Sequence, residues 1–427
     1  MWSKRMRKYW ISGLLVINVL SMYGLFGCGK IPEKESKSRE ISMEDPKKRE
    51  RAQDKQLWEK GYALPVEERE QKEAQRDGKT MMNKLFALYR DADKGKTFNV
   101  ELKEETILQM QEELGKTKSP VMTLLPYENM INEEKVDTFL KDCAKGKSGS
   151  VILYEIHHDG GVGRMKFIFD GRQMYLLRVR YVWKKDGQPG ISDISHSRIK
   201  EWNYTDKGWF AYELCVPQPP EVSEIVDGSN MIRVKPMTEE QQRMSKQCVR
   251  GLGYQGNNVL CSNWDEAHME KLDYNGMFEY LYAMKYGESL DTGKYPEGIP
   301  REKFEKLIGE YFPITAEQIR EYAVFEEKTQ TYPRAGLRSF SHAMALFQTS
   351  LPEVTAIRQN QDGTVTLTVD AVCTMFTGDD ALITHELTVR FGKDGRFQYL
   401  GNKIKERDLQ KIPAYQYRVP RSLRENS

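Results

Sequence analysis

The chain has 427 residues, with 65 basic against 63 acidic side chains and a formal net charge of +2. Such a balance leaves no basic field to collect nucleic acid, and six cysteines are too few for a disulfide scaffold. Aromatic residues at 11% exclude a wholly disordered chain, so the expectation is globular.

The first 28 residues carry no acid and fall into zones. Lys4, Arg5, Arg7 and Lys8 open the chain, and Trp10 to Phe26 is nearly all apolar. A charged start followed by a short apolar run describes a secretory signal. The run ends in Leu25-Phe26-Gly27-Cys28, which resembles the lipobox of bacterial lipoproteins. That resemblance implies a signal peptide over 1–27 and a diacylglycerol, with palmitate among the acyl chains, on Cys28. It also implies a location on the outer side of the cell membrane. Phe26 departs from the lipobox pattern, which prefers a smaller residue there. Removal of 1–27 would leave 61 basic against 63 acidic residues, turning +2 into −2.

From Cys28 to Gly78 basic and acidic residues alternate and apolar ones are sparse. Such a segment reads as a solvated tether, 28–78. A first folded domain is expected over 79–236. Met81, Met82, Leu85, Phe86 and Tyr89 share one helical face, and Ile107, Met110 and Leu114 form a second stripe closed by Gly115. Asn132 is placed to cap a third helix, through Val136, Phe139, Leu140 and Cys143. The apolar period then changes to two. Strands are predicted at Val151 to Ile156, Met165 to Phe169, Met174 to Trp183, Ile199 to Tyr204 and Trp209 to Val216. Asp170-Gly171 marks a hairpin turn.

The same order is expected again over 237–410. Thr238-Glu239-Glu240-Gln241 and Thr315-Ala316-Glu317-Gln318 are capping boxes, and further helices run through Met277 to Met284 and Pro300 to Tyr311. Four strands follow at Val354 to Gln359, Thr364 to Thr374, Leu382 to Phe391 and Phe397 to Ile404. Val365, Leu367 and Val369 alternate with threonines, the pattern of a sheet wet on one face. Residues 411–427 are left as a flexible tail. The fold class is therefore α+β, two domains of helices followed by an antiparallel β-meander; by analogy, cystatin-like or nuclear-transport-factor-like architectures suit it.

Chemistry is harder to find. Gly251-Leu252-Gly253-Tyr254-Gln255-Gly256 matches a dinucleotide fingerprint in letters, yet a capped helix precedes it where that fold needs a strand. His157-His158-Asp159 is the densest group of potential metal ligands, but adjacent strand residues face opposite ways, so it reads as an exposed strand end. Asp265 and His268 suit a local pair. No nucleophile motif occurs, and no cofactor or metal site is expected. Five cysteines remain beside Cys28, and Cys248 and Cys261 bracket the glycine-rich loop as a candidate disulfide. Trp209 among the aromatics of the first meander, with Tyr254, Asn257, Asn258 and Trp264 in a loop mixing amides and aromatics, are candidate ligand contacts.

From Trp202 to Ile404 the chain is similar to an uncharacterised family of lipobox-bearing lipoproteins of Gram-positive bacteria. The segments carrying the likeness include Gly208-Trp209-Phe210, Ile232 to Pro236, Gly251 to Asn258, Met277 to Tyr282, Asp362 to Val365 and Tyr399 to Asn402. The resemblance implies compartment and architecture and transfers no chemistry. The expected role is a binding or accessory module of the cell envelope, with a glycan, peptide or protein partner. A hydrolase acting on envelope glycan or peptide, and a structural subunit of an envelope complex, are the alternatives.

Overall fold

The computed structural model describes residues 57–95, 99–337, 347–373 and 380–420. The apolar run from Trp10, Cys28 and most of the predicted tether lie outside them. Among the described residues no helix is long and apolar enough to cross a membrane. Met1–Lys60 and Gly61–Ser427 are separate compact units, and of the first only 57–60 are described, as helix.

In the second unit, helices α1 (Glu68–Asp91), α2 (Glu104–Gly115) and α3 (Glu134–Cys143) accompany a seven-stranded sheet. Its strands follow chain order: β1 (Val121–Thr123), β2 (Gly149–Ile156), β3 (Val162–Phe169), β4 (Met174–Trp183), β5 (Pro189–Tyr204), β6 (Trp209–Leu214) and β7 (Ser229–Arg233). Only β1 pairs parallel, and the rest form an antiparallel meander. Period-two alternation fills both faces. Val151 and Leu153 of β2 meet α3, whereas Tyr154 and Ile156 meet α1 and α2. The short β1, the first half of β5 and β7 go unpredicted because polar or brief segments carry little alternation.

Helix α1 begins ten residues inside the segment assigned from sequence to the tether. Its acids have specific partners. Glu73 and Asp77, one turn apart, receive the guanidinium of Arg164 at 2.9 and 3.1 Å, and Glu70 receives Lys166 at 2.6 Å. Arg164 is fully buried beneath the helix. Tyr181 donates its hydroxyl to Ala74 O at 2.7 Å, and a Cβ on Gly78 would lie 1.9 Å from the Tyr181 ring. Mixed charge here is an interface pattern. Asn132 is also corrected: it adopts a positive φ of 57° and donates to Gly115 O and Ser119 O, closing the exit of α2 instead of capping α3.

The second half opens with α4 (Glu239–Met244), continued by a π-helical turn over Ser245–Val249. Strand β8 (Trp264–Asp265), α5 (Tyr274–Tyr286), the β9 bridge (Ile299–Pro300), α6 (Arg301–Tyr311), α7 (Ala316–Tyr322) and β10 (Thr331–Tyr332) follow. Both capping boxes form, with Thr238 and Thr315 each accepting from N3 while the N3 glutamine returns a bond. A five-stranded antiparallel sheet then runs β11 (Leu351–Gln359), β12 (Val365–Val372), β13 (Ala381–Phe391), β14 (Phe397–Ile404), with β8 added beside β14, before a last turn, α8 (Glu406–Leu409). One face of this sheet (Val354, Val365, Leu367, Val369, Leu387, Val389, Tyr399) packs on α4, its π-helical continuation and α6.

The two halves meet through polar contacts. Tyr127 donates to Pro352 O, Asn129 exchanges two bonds with Met237, and Gln241 donates to Thr355 O. Lys207 in the β5–β6 turn pairs with Asp370 at 2.7 Å, and Arg233 of β7 with Glu353 at 2.5 Å. Lys411 to Pro420, predicted as tail, is also built in. Arg418 is buried against Glu279, its backbone N–H and the Tyr415 hydroxyl donate to Asp273, and Val419 is buried. Those acids lie more than 130 positions upstream, so no local pattern announces the contact.

Candidate binding groove

The wet face of the second sheet carries an open groove of about 680 Å³. Strand register explains its shape. Arg358 pairs with Thr366, Thr366 with Thr388, Thr388 with Gly401 and Gly401 with Asp265. Directly opposed residues share a face, so this row crosses all five strands. Its middle is two threonines and a glycine, and its ends are charged. Short side chains between long ones make a trough. Gly401 belongs there because a Cβ would lie 3.0 Å from Trp264 O on the neighbouring strand. A second row, Thr368, Glu386 and Lys403, flanks the first.

The loop after β8 forms the wall at one end. His268 Nδ1 lies 2.7 Å from Asp265 Oδ1, and this hydrogen bond is the main reason the Asp265 carboxyl sits below its usual range. The predicted local pair is therefore present. Glu266 leans towards Arg390 at 3.8 Å. Arg358 and Lys271 complete the charged rim.

Beneath the sheet lies a buried polar chain. Tyr254 hydroxyl meets His385 Nε2 at 3.0 Å, and His385 Nδ1 meets Asn402 Oδ1 at 2.6 Å. Asn402 spends its Nδ2 on Ser262 O, so its oxygen accepts, which places the imidazole hydrogen on Nδ1 and makes Nε2 the acceptor for Tyr254. Burial pushes the imidazole down to about 4, against the bond to Asn402, and keeps it neutral. A small cavity near Tyr254, lined also by Gly256, Cys261, Phe347, Tyr415 and Arg418, measures about 30 Å³ and has room for little beyond water.

The residues singled out as ligand contacts are placed in the interior. Asn257 donates to Leu252 O and accepts from Val259 N–H; Asn258 donates to Lys271 O and accepts from Asp273 N–H. Trp264 donates its indole N–H to Val259 O at 2.8 Å, and Tyr254 serves His385. Asn257 thus closes on the backbone of its own loop and Asn258 ties that loop to Lys271 and Asp273, while Tyr254 borders the small cavity and Trp264 the groove. Trp209 lies under the Arg233 guanidinium, 5.2 Å from the ring centre, in the joint between the sheets.

Cys248 and Cys261 are free thiols, which corrects the candidate disulfide. Both are buried, and burial pushes each up to about 12. His157 is buried rather than at an exposed strand end, since its Nε2 lies 3.0 Å from Glu155. Burial alone would raise the Glu155 carboxyl, but His157 and Arg178 hold it at about 2. Asp159 is taken by Arg180, and no metal-ligand cluster occurs among the described residues.

The strongest upward carboxylate shift belongs to Glu353. Burial, assisted by the facing Asp370, raises it to about 7 although Arg233 opposes the rise. Glu353 and Asp370 are cross-strand partners, yet both are buried and engaged by cations from the first sheet. That arrangement joins the sheets and offers a substrate no access.

The groove was half legible. The alternation of threonines with Val365, Leu367 and Val369 gives the wet face, but Arg358 and Asp265 become ends of one row only through register.

Residues 71–418 match a family of unknown function, DUF6070. The chain belongs to this family. Its span begins within α1 and ends at the buried Arg418, in keeping with the packed segment described above. No curated protein and no solved structure matches.

Proposed function

We propose that this member of the family is a lipid-anchored extracytoplasmic binding module of the cell envelope, with the groove on the second sheet as its ligand face. Its basic start, apolar run and Leu25-Phe26-Gly27-Cys28 supply the anchor, a diacylglycerol on Cys28. The single observation that carries the binding reading is the trough of Thr366, Thr388 and Gly401 between charged ends. Small hydroxyl-bearing residues leave space and offer both donors and acceptors. The likeness of helices on a curved antiparallel sheet to cystatin-like or nuclear-transport-factor-like architectures, and a division into two domains at about 236, belong to the same reading.

Two experiments test it. Cys28→Ala is expected to abolish incorporation of labelled palmitate and release the protein from the membrane fraction; persistent labelling refutes the anchor. Thr388→Arg, which fills the trough from a half-buried position on the groove face, is expected to abolish ligand capture while the protein still unfolds cooperatively. Capture that survives the filled trough sinks the groove as ligand face.

A further inference from the structure

Charges that alternate along α1 are sorted when the helix packs. Glu70, Glu73 and Asp77 turn to the sheet, where Lys166 and Arg164 receive them. Arg69, Lys72, Arg76, Lys79, Asn83 and Phe86 are all exposed, and their steps of three and four residues set them in one row on the opposite face. Arg90 continues the row, which is about 32 Å long at ~1.5 Å per residue, and exposed Lys84 flanks it. Against these six cations the exposed acids are Glu67 before the helix, Glu68, held by Lys72 at 2.6 Å, and Asp91, held by Arg90 at 2.7 Å. Arg76 leans to Asp77 at 3.9 Å, while Arg69, Lys79 and Lys84 have no hydrogen bond or ion pair among the described residues. Glu104, Glu105 and Glu112 are exposed on α2, which begins by the far end of α1, since Leu102 and Tyr89 both flank Gly160. The first three turns of α1 are therefore the most cationic part of its outer face.

We infer that the outer face of α1 lies along the membrane surface and binds the phosphate headgroups of anionic lipid. This rests on the lipid anchor of the proposed function and not on the groove. Three features select a bilayer. The row is straight and carries one sign of charge over its first three turns, which suits a plane of phosphates. Phe86 is 39% exposed in the same row, and an apolar ring between cations can bury itself at the boundary of headgroup and acyl chain, where a soluble polyanion offers it nothing. The helix also begins only 40 residues after Cys28, so the anchor holds it at high local concentration beside the lipid. Each Lys or Arg close to an anionic surface strengthens adsorption about fivefold, so four of them convert a tethered body into a docked one. The inward acids are no obstacle, because each already has its cation beneath the helix.

The test adds the full lipidated chain to preformed vesicles of phosphatidylcholine alone, or with a third of the lipid replaced by phosphatidylglycerol. Flotation reads the anchor, and acetylation of lysines by an impermeant reagent, followed by mass spectrometry, reads the face. Acetylation of Lys72 and Lys79 is expected to fall at least fivefold on the anionic vesicles, while exposed Lys393 and Lys403 of the second half stay unchanged. The protection is expected to vanish at 1 M salt, where screening acts within ~3 Å. Arg69→Glu combined with Arg76→Glu is expected to abolish it, and Arg69→Lys with Arg76→Lys to keep it. Equal acetylation on both vesicles, with the chain floating on both, overturns the docking and leaves the anchor standing. A chain that floats only with the anionic vesicles, its two lysines protected, refutes the anchor and supports the face. Protection by soluble polyphosphate without protection on anionic vesicles overturns the membrane assignment in favour of an anionic polymer. A chain that floats with neither overturns both readings.

Discussion

Glu353 and His385 pull the pH dependence of stability in opposite directions. Burial raises Glu353 from 4.5 to about 7, while burial lowers His385 from 6.5 to about 4. Near pH 5.5 the folded protein holds a proton on Glu353 that the unfolded chain has released. The unfolded chain meanwhile holds one on His385 that the folded protein refuses. The stabilisation from Glu353 is full below 4.5 and lost as pH rises through about 7. That from His385 is full above 6.5 and lost as pH falls through about 4. Each alone imposes a slope of about 1.4 kcal/mol per pH unit, with opposite signs, so the two cancel between about pH 5 and pH 6. Glu353→Gln removes one side of the balance. Its stability relative to wild type is expected to rise by about 1.4 kcal/mol per unit across that window. His385→Gln is expected to show the reverse slope. Urea unfolding of residues 61–427, followed by ellipticity at several pH values, reads both. A Glu353→Gln variant whose stability runs parallel to wild type over this range would refute the reasoning.

Other outcomes follow from the packing. A fragment beginning at residue 79 strands the buried Arg164 without Glu73 and Asp77, and is expected to be about 3 kcal/mol less stable than one beginning at 61, measured by urea midpoint. Gly78→Ala drives a methyl into the Tyr181 ring and is expected to cost about 1–3 kcal/mol in the same assay, where a tether position would cost nothing. Thr238→Ala removes a formed capping box, and a loss of about 1 kcal/mol is expected. Maleimide labelling of Cys248 and Cys261 is expected only after denaturation, and reductant is expected to leave the melting temperature unchanged; a reductant-sensitive melt would restore the disulfide.

Elements encoded within one or two turns were readable along the chain. Thr238 and Thr315 meet partners three residues away, and strand β14 begins and ends where the alternation of Phe397 to Ile404 places it. Side chains whose partners are distant were not. The acids of α1 look like solvated tether until Arg164 and Lys166 are brought under them, and Arg418 looks like tail until Glu279 and Asp273 enclose it. Asparagines in the Tyr254 to Asp265 loop carry the composition of a ligand loop, but their hydrogen bonds go to backbone groups, those of Asn257 within the loop and those of Asn258 to Lys271 and Asp273 further along the chain.

By itself, then, the sequence determined the α+β class, the helical faces, the meander order and the wet face of the second sheet, because each depends on spacing within a few residues. Tertiary structure decided where the folded unit starts, that the cysteines stay apart, and which charges close the joint between the sheets. It also decided that Arg358 and Asp265 stand at opposite ends of one groove. Those outcomes depend on register and long-range pairing, and a run of neighbouring residues holds no record of the strand that will lie beside it.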